Sequence, residues 1–301
     1  MRKEFSATLK RIATADEQVI FLTGDLGFMA LENVREAIGI RFINVGVAEQ
    51  NMISIAAALA SEGLLPICYS IAPFIVFRPV EQIRLDICLH NLNVKLVGNG
   101  GGYGYGIMGA THHALEDIAV LSSFQNMKCF IPFCNEDVEN NINAMFLYKG
   151  PSYLRLGFGS KPVNISISSF QPIRNILKGS DITIVAMGPV VLNALNVVRT
   201  NIISADVFVV SELPIDEINE ELKQSIKHTG KLLIMEEHVQ RGGMGEHLAH
   251  KLLSAQIHCS FRHLFAIGYP DGKYGSQSYH QQRCGLDEES LLLTIKSMFN
   301  E

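Results

Sequence analysis

The 301-residue sequence has no tryptophan, no Cys-x-x-Cys pair, no basic cluster and no apolar run of transmembrane length. Each absence excludes something except the first, which bears on no function. Without a basic run, and with a net charge of −5, the chain has no electrostatic footprint for nucleic acid, and no nucleic-acid partner is expected. No apolar stretch approaches the roughly 18–20 residues of a membrane-spanning helix, so no membrane partner is expected either. The first residues, MRKEFSATLKRIATADEQ, lack the apolar segment of a secretory signal. The six cysteines (68, 88, 129, 134, 259 and 284) show no metal-binding or redox spacing. They read as reduced thiols used as small core residues in a cytoplasmic protein.

What is present is apolar material in quantity, 48% of residues. The length suits two domains of about 150 residues each. Short β-branched runs at 19–25, 41–47, 65–70, 93–99, 127–132 and 152–157 alternate with helical patterns at 2–14, 48–62, 77–90, 112–124 and 136–148. A polar, turn-rich stretch follows over 158–175. A second alternation then has strands at 182–188, 207–212, 231–237 and 260–268, with helices near 190–200, 215–228, 243–254 and 287–299. Gly230 sits where a helix C-cap belongs and Asp287 where an N-cap belongs. The fold class expected is α/β, two doubly wound domains with mostly parallel sheets: 1–160, a linker over 161–178, and 179–301.

Four stretches carry polar residues in unusual places. In FINVGVAEQNM (42–52) an apolar strand runs into an Ala-rich helix, and Glu49 falls at the joint. An acid in a first helical turn is stabilised by the helix dipole, which is its ordinary reason to be there. In IAPFIVFRPVEQIRLDI (71–87) Phe74 and Phe77 follow a strand directly, and ordinary core packing explains a Phe pair. The loop GNGGGYGYGIMGATHHALEDI (98–118) has the glycine density that lets backbone approach a ligand closely. Gly104, Gly106 and Gly109 match G-x-G-x-x-G formally, but a nicotinamide dinucleotide site needs that motif between a strand and a helix, and no ribose-binding acid ends the next strand. His112 and His113 close this loop, as surface or capping residues or as groups facing a ligand. In EEHVQRGGMGEHLAHKLL (236–253) His247 and His250 share a helix face without a third ligand, so no metal is expected on this chain.

Taken together, RFINVGVAEQNM, CYSIAPF, FRPVEQIRLDI, GATHHALEDIA, NMKCFIP and PSYLRLG resemble the pyrimidine-binding domain of transketolases and the related deoxyxylulose-phosphate synthases. GSDITIVAMG, VVSELPIDE, LLIMEEHVQRGGMGEHLA and the final GLD resemble their C-terminal domain, in the same order. The resemblance implies a role for Glu49: hydrogen bonding the aminopyrimidine ring of thiamine diphosphate. A desolvated carboxyl has a raised pKa, so it can hold and share the proton that activates the cofactor. The same matching implies that Phe74 or Phe77 stacks on the pyrimidine. It also implies that Asp25 lies near the cofactor, that His112 faces the substrate and that Arg2 and Arg155 hold a substrate phosphate. The activity implied is transfer of a two-carbon ketol unit from a ketose sugar donor to an aldehyde acceptor.

The resemblance also implies a missing half. Full-length members bind the diphosphate through Mg²⁺ on an N-terminal domain marked by Gly-Asp-Gly, then an Asn some way downstream. Gly24-Asp25-Leu26 with Asn51 imitates the spacing, but Leu26 breaks the motif. The chain therefore resembles the C-terminal subunit of a split transketolase. Its expected partner is an N-terminal, diphosphate-binding subunit holding Mg²⁺, with a homodimeric core giving an α2β2 heterotetramer. Three family positions depart from phosphate use: Met29 stands for a Ser, Gly100 for a His and Met108 for an acid. A modified or nucleotide-linked sugar is the expectation that follows. Two alternatives stay open from the residues: a 2-oxo-acid dehydrogenase β subunit, which shares the layout, and a module that has lost catalysis.

Overall fold

The computed structural model describes residues 1–27 and 29–300. The first half supplies β1 (Val19–Thr23), β2 (Phe42–Asn44), β3 (Leu65–Ile71), β4 (Lys95–Asn99), β5 (Lys128–Phe130) and β6 (Ser152–Leu156). The second supplies β7 (Ile173–Leu177), β8 (Ile182–Met187), β9 (Ala205–Val210), β10 (Glu212–Leu213), β11 (Lys231–Glu236) and β12 (Ser260–Phe265). The helices are α1 (Arg2–Ala15), α2 (Glu32–Ile38), α3 (Glu49–Ser61), α4 (Ala72–Phe77), α5 (Val80–Gln82), α6 (Asp117–Ser122), α7 (Val138–Leu147), α8 (Val191–Thr200), α9 (Glu220–Thr229), α10 (Met244–Ser254), α11 (Gln277–Arg283) and α12 (Glu288–Asn300). No helix among the described residues is long and apolar enough to cross a membrane.

Two sheets result. The first runs β10-β5-β6-β4-β3-β1-β2 and the second β12-β11-β8-β9-β7. Every pairing is parallel except those of β10 with β5 and β7 with β9. Strands β1, β4, β6 and β8 are buried along their whole length, because helices cover both faces of a parallel sheet. This is why the apolar runs are continuous rather than alternating. Helix α3 shows the matching logic: Met52, Ile53, Ala56 and Ala57 form its buried stripe, and the small alanines let it lie close to the sheet.

The alternation read from the sequence corresponds to these elements, with physical exceptions. Strand β7 lies at the end of the stretch read as polar and turn-rich. Its inward Arg174 is buried and paired with the buried Asp137 of the first half, so a charge breaks the apolar pattern. The run 207–212 is two strands: the chain leaves the second sheet at Ser211 and adds β10 to the edge of the first. The helix expected over 112–124 begins only at Asp117, because Ala114 pairs with Gly102 in an isolated antiparallel bridge. The helical stretch expected over 77–90 begins earlier, at Ala72, and loosens to a π-helix over Ile83–Leu89. Both caps are as read: Gly230 takes φ 63° and closes α9, while Asp287 accepts from the amides of Glu289 and Ser290.

Candidate active site

In a parallel sheet all strands end on the same edge, and ligands bind beyond the carboxyl ends. Here β1 ends at Thr23, β2 at Asn44, β3 at Ile71 and β4 at Asn99, with registers Thr23↔Asn44, Thr23↔Tyr69 and Ile71↔Asn99. The unusual residues of the sequence gather along this edge.

Glu49 opens α3 and is only 3% exposed. The turn before it is tight: a Cβ at Gly24 would meet the Gly46 carbonyl at 3.2 Å and the Glu49 Oε1 at 3.6 Å. Its Oε1 accepts from the Ser70 hydroxyl at 3.0 Å, and its Oε2 from Arg78 Nη1 at 2.8 Å. The same guanidinium lies 3.8 Å over the Phe74 ring. Phe74 in turn meets the His112 ring edge-on at 5.1 Å between centroids. A contact chain thus runs Glu49–Arg78–Phe74–His112. The acid and the flat ring are joined through one cation, whose side chain is 42% exposed while that of Glu49 is 2% exposed.

His112 is held by Thr111, whose Oγ1 lies 2.9 Å from its Nδ1, and its ring leans toward Tyr105 at 5.9 Å. Beyond it the glycine loop is locked to the second half of the chain. The Tyr103 amide donates to Glu237 Oε1 at 2.6 Å, and the Tyr103 hydroxyl donates to the Gly268 carbonyl at 2.8 Å. A Cβ at Gly102, which has φ 66°, would lie 2.4 Å from Glu237 Oε1, so glycine alone lets the loop seat there. His113 Nε2 lies 2.8 Å from the Gly106 carbonyl and Nδ1 2.8 Å from the Tyr269 hydroxyl. A carbonyl only accepts, so the ring carries its proton on Nε2 and Nδ1 accepts from Tyr269. Burial pulls the His113 pKa down to about 4.

The remaining expected site residues fall as follows. Of the two phenylalanines it is Phe74 that contacts His112 and Arg78; Phe77 ends α4 and is 36% exposed. Asp25 is exposed with φ 59°, tied to Asn44, whose amide donates to its Oδ1 at 3.0 Å and accepts from its N–H at 2.9 Å. It lines a cavity of about 350 Å³ with Thr23, Arg35 and Asn44, a space not lined by Glu49, Phe74 or His112. Arg2 is exposed at the start of α1 and lies near Tyr69 at the end of β3; burial raises the Tyr69 phenol's pKa and Arg2 offsets part of that. Arg155 does not fit its expected phosphate contact. Its guanidinium is buried and committed to Asp117 at 2.8 Å, the Ala114 carbonyl at 2.8 Å and the Glu237 carbonyl at 3.1 Å. The charge is consumed in pinning the glycine loop between the halves. The formal G-x-G-x-x-G lies within a loop that opens no helix until α6, so the dinucleotide geometry is absent there.

Three residues escaped the sequence reading: Ser70, Arg78 and Tyr105. Arg78 had a usable signal, since it lies four residues after Phe74 and side chains at that spacing meet on a helix.

The donor set fits the ring half of thiamine diphosphate. Glu49 and Phe74 hold the flat Arg78 guanidinium between them, so a buried acid and an aromatic face meet at one planar hydrogen-bonding group. Among the described residues no group of three or more His, Cys, Asp or Glu could hold a metal ion.

Comparison with known proteins identifies the family of both halves. The transketolase pyrimidine-binding domain matches residues 1–159 and the transketolase C-terminal domain residues 173–290. An apulose-4-phosphate transketolase subunit of Phocaeicola vulgatus is 31% identical, covering 97% of this chain and 95% of its own length. A 6-deoxy-6-sulfo-D-fructose transketolase subunit of a Clostridium species is 28% identical over 97% of this chain and 92% of its own. Among solved structures, a split-gene transketolase described as an inactive beta4 tetramer superposes with a TM-score of 0.84 at 27% identity, covering 99% of this chain and 97% of that one.

Proposed function

From the premise that this chain belongs to the transketolase family, a family of thiamine diphosphate enzymes, and is a transketolase-type transferase subunit, we propose that it moves a two-carbon ketol unit from a ketose to an aldehyde. One observation carries this reading: a buried glutamate at a helix start, joined through a cation to an aromatic face and a histidine. The cofactor, when bound, supplies the electron sink for breaking a carbon–carbon bond beside a carbonyl. This chain's residues do the rest. Glu49 would hold the ring nitrogen of the bound cofactor by a hydrogen bond at its carboxyl oxygens, with Ser70 fixing its orientation. Phe74 presents a face for the ring. His112 reaches a substrate oxygen and holds it by a hydrogen bond. Arg2, on the rim near Tyr69, attracts an anionic substrate end. Arg155 has no part in this, since its charge is spent on Asp117.

The reading includes a partner. The diphosphate and its Mg²⁺ need ligands of their own, and Leu26 interrupts the Gly-Asp-Gly motif that would supply them, so a separate N-terminal subunit completes the site, with α2β2 stoichiometry. That a related subunit alone is described as an inactive beta4 tetramer supports this. Calorimetry on the purified chain tests it: thiamine diphosphate with Mg²⁺ should bind weaker than micromolar until the partner is added. Micromolar binding without the partner overturns the split-site reading.

The substrate follows from the rim. Met29 is 80% exposed and Met108 53%, and a thioether gives a phosphate oxygen no hydrogen bond. Gly100 contributes no side chain at all. A relative named for 6-deoxy-6-sulfo-D-fructose supports a modified sugar without a phosphate, while those named for apulose-4-phosphate support an unusual sugar that keeps one. Co-expression with the partner, followed by a mass-spectrometric screen of donors and acceptors, tests both points. A kcat/KM above about 10⁴ M⁻¹s⁻¹ on xylulose 5-phosphate with ribose 5-phosphate, an ordinary value for an enzyme's own substrate, would defeat the modified-sugar reading.

A further inference from the structure

Gly100 leaves a gap in the sequence that the structure fills from elsewhere. It adopts φ +78°, and a Cβ on it would stand 2.2 Å from Cε2 and 2.4 Å from Cδ2 of Tyr105. The Tyr105 ring therefore occupies the space of a side chain at residue 100, and Gly104, whose own Cβ would press on Gly100 at 3.1 Å, lets the loop double back that tightly. The phenol is held there by Asn99, whose Nδ2 donates to its oxygen at 2.8 Å. Asn99 ends β4 on the strand edge beside Ile71, is only 4% exposed, and its Oδ1 is buried without a partner. In either orientation of the amide, one end of Asn99 bonds Tyr105 and the other is left over. Tyr105 is half-buried, 5.9 Å from the His112 ring between centroids, and close enough to Tyr69 to raise its pKa in company with burial.

One polar group is thus unspent beside His112, the Tyr105 phenol. It accepts from Asn99 and keeps a proton to donate, while the leftover end of the amide is sealed away from solvent and serves only to hold the phenol in place. A single neutral donor matches a neutral oxygen such as a hydroxyl. It brings no positive charge for a phosphate, whose strong contacts are charge-assisted.

We infer that Tyr105 and Asn99 form a hydroxyl-reading subsite for the sugar, with Tyr105 a specificity-determining residue. The inference rests on the ketol-transfer reading and deepens it. The ring of Tyr105 fills the space above Gly100, and its phenol, oriented by the Asn99 amide, donates to a hydroxyl of the aldehyde acceptor while His112 holds a neighbouring oxygen.

The test uses the chain assembled with its diphosphate-binding partner and two acceptors that differ by hydroxyls: D-glyceraldehyde and propionaldehyde. Tyr105→Phe keeps the ring and should lower the glyceraldehyde-to-propionaldehyde ratio of kcat/KM about tenfold, mainly through KM for glyceraldehyde, with a much smaller change for propionaldehyde. Asn99→Ala should lower the same ratio. Equal losses on both acceptors, or an unchanged ratio in Tyr105→Phe, overturn the inference while wild-type turnover leaves the ketol-transfer reading standing. If wild type transfers ketol units to no aldehyde, both fall together.

Discussion

Glu49 and the pair Glu236–Glu237 are three buried carboxylates, at 3%, 0% and 5% exposure, placed at the two ends of one molecule's logic. Glu236 is satisfied entirely by its own domain. It caps α10 through the Met244 and Gly245 amides, each at 2.8 Å, and takes a third bond from His263 Nε2 at 2.8 Å. Glu237 is satisfied across the seam by the Tyr103 amide and within its own half by the Gln277 and Gln281 side chains. Burial raises its pKa, and those donors offset part of the rise. Glu49 differs: its second oxygen is met only by a cation that is itself nearly half in solvent. A carboxylate fully bonded by fixed groups serves structure. One closed by a movable, half-exposed cation can be reopened to another partner.

That distinction breaks cleanly by isosteric replacement. In the assembled enzyme Glu49→Gln should lose on the order of 10²-fold or more in turnover, the usual cost of a positioned acid–base group, with the fold kept. Glu237→Gln should do the reverse. It turns an amide donor toward donors in a buried site, so it should lower unfolding free energy by about 1–3 kcal/mol in urea titrations and change turnover far less. A near-normal rate for Glu49→Gln would undo the site assignment, and an unchanged stability for Glu237→Gln would undo the contrast.

The contrast was half legible in the sequence. Glu49 stood out because an apolar strand runs straight into an Ala-rich helix with the acid at the joint, although the helix dipole alone explains an acid in a first turn. The glycine loop was legible too, since no ordinary connection needs so many φ-positive positions. What could not be read were pairings across distance. Arg155 looked available for an anion because nothing in PSYLRLG points to Asp117, which lies 38 residues away and 2.8 Å from its guanidinium. Strand β7 was hidden for the same reason, its buried Arg174 being neutralised by an Asp137 that only the fold brings close. Tyr105 escaped because glycine at residue 100 reads as a loss, and the ring filling that loss comes from five residues on.

The openness of Glu49 is sharpened by a double-mutant cycle with Arg78. Removing the guanidinium leaves a buried carboxylate with Ser70 alone, so Arg78→Ala should cost about 1–2 kcal/mol, less than a fully buried pair because Arg78 is 42% exposed. In the cycle with Glu49→Gln the coupling should be about 0.5–1 kcal/mol. Arg78→Lys should restore part of the charge pairing but not the planar contact over Phe74. A coupling near zero would mean that the pair is an incidental contact and that Glu49 is closed by something other than Arg78.

The smallest effect separates the two sides of the seam by pH. His113 is 3% exposed, neutral, and bonded to the Gly106 carbonyl and Tyr269; burial lowers its pKa from 6.5 to about 4. Between those values the unfolded chain binds a proton that the folded chain refuses. The His113 contribution is therefore present above pH 6.5 and is lost as pH falls toward 4. Glu237 runs the other way: its raised pKa means that the folded chain binds the extra proton, so its contribution declines as pH rises through that value. The two oppose each other in mildly acidic solution, and wild type alone does not isolate either. His113→Gln keeps a side chain that can donate to Gly106 and accept from Tyr269 but removes the titration. From pH 7 to pH 5 wild type should lose about 2 kcal/mol more unfolding free energy than this variant. Equal losses would place the proton refusal elsewhere, at His238 or His280, whose pKa values burial also lowers. The locked seam would then owe nothing to His113 being neutral.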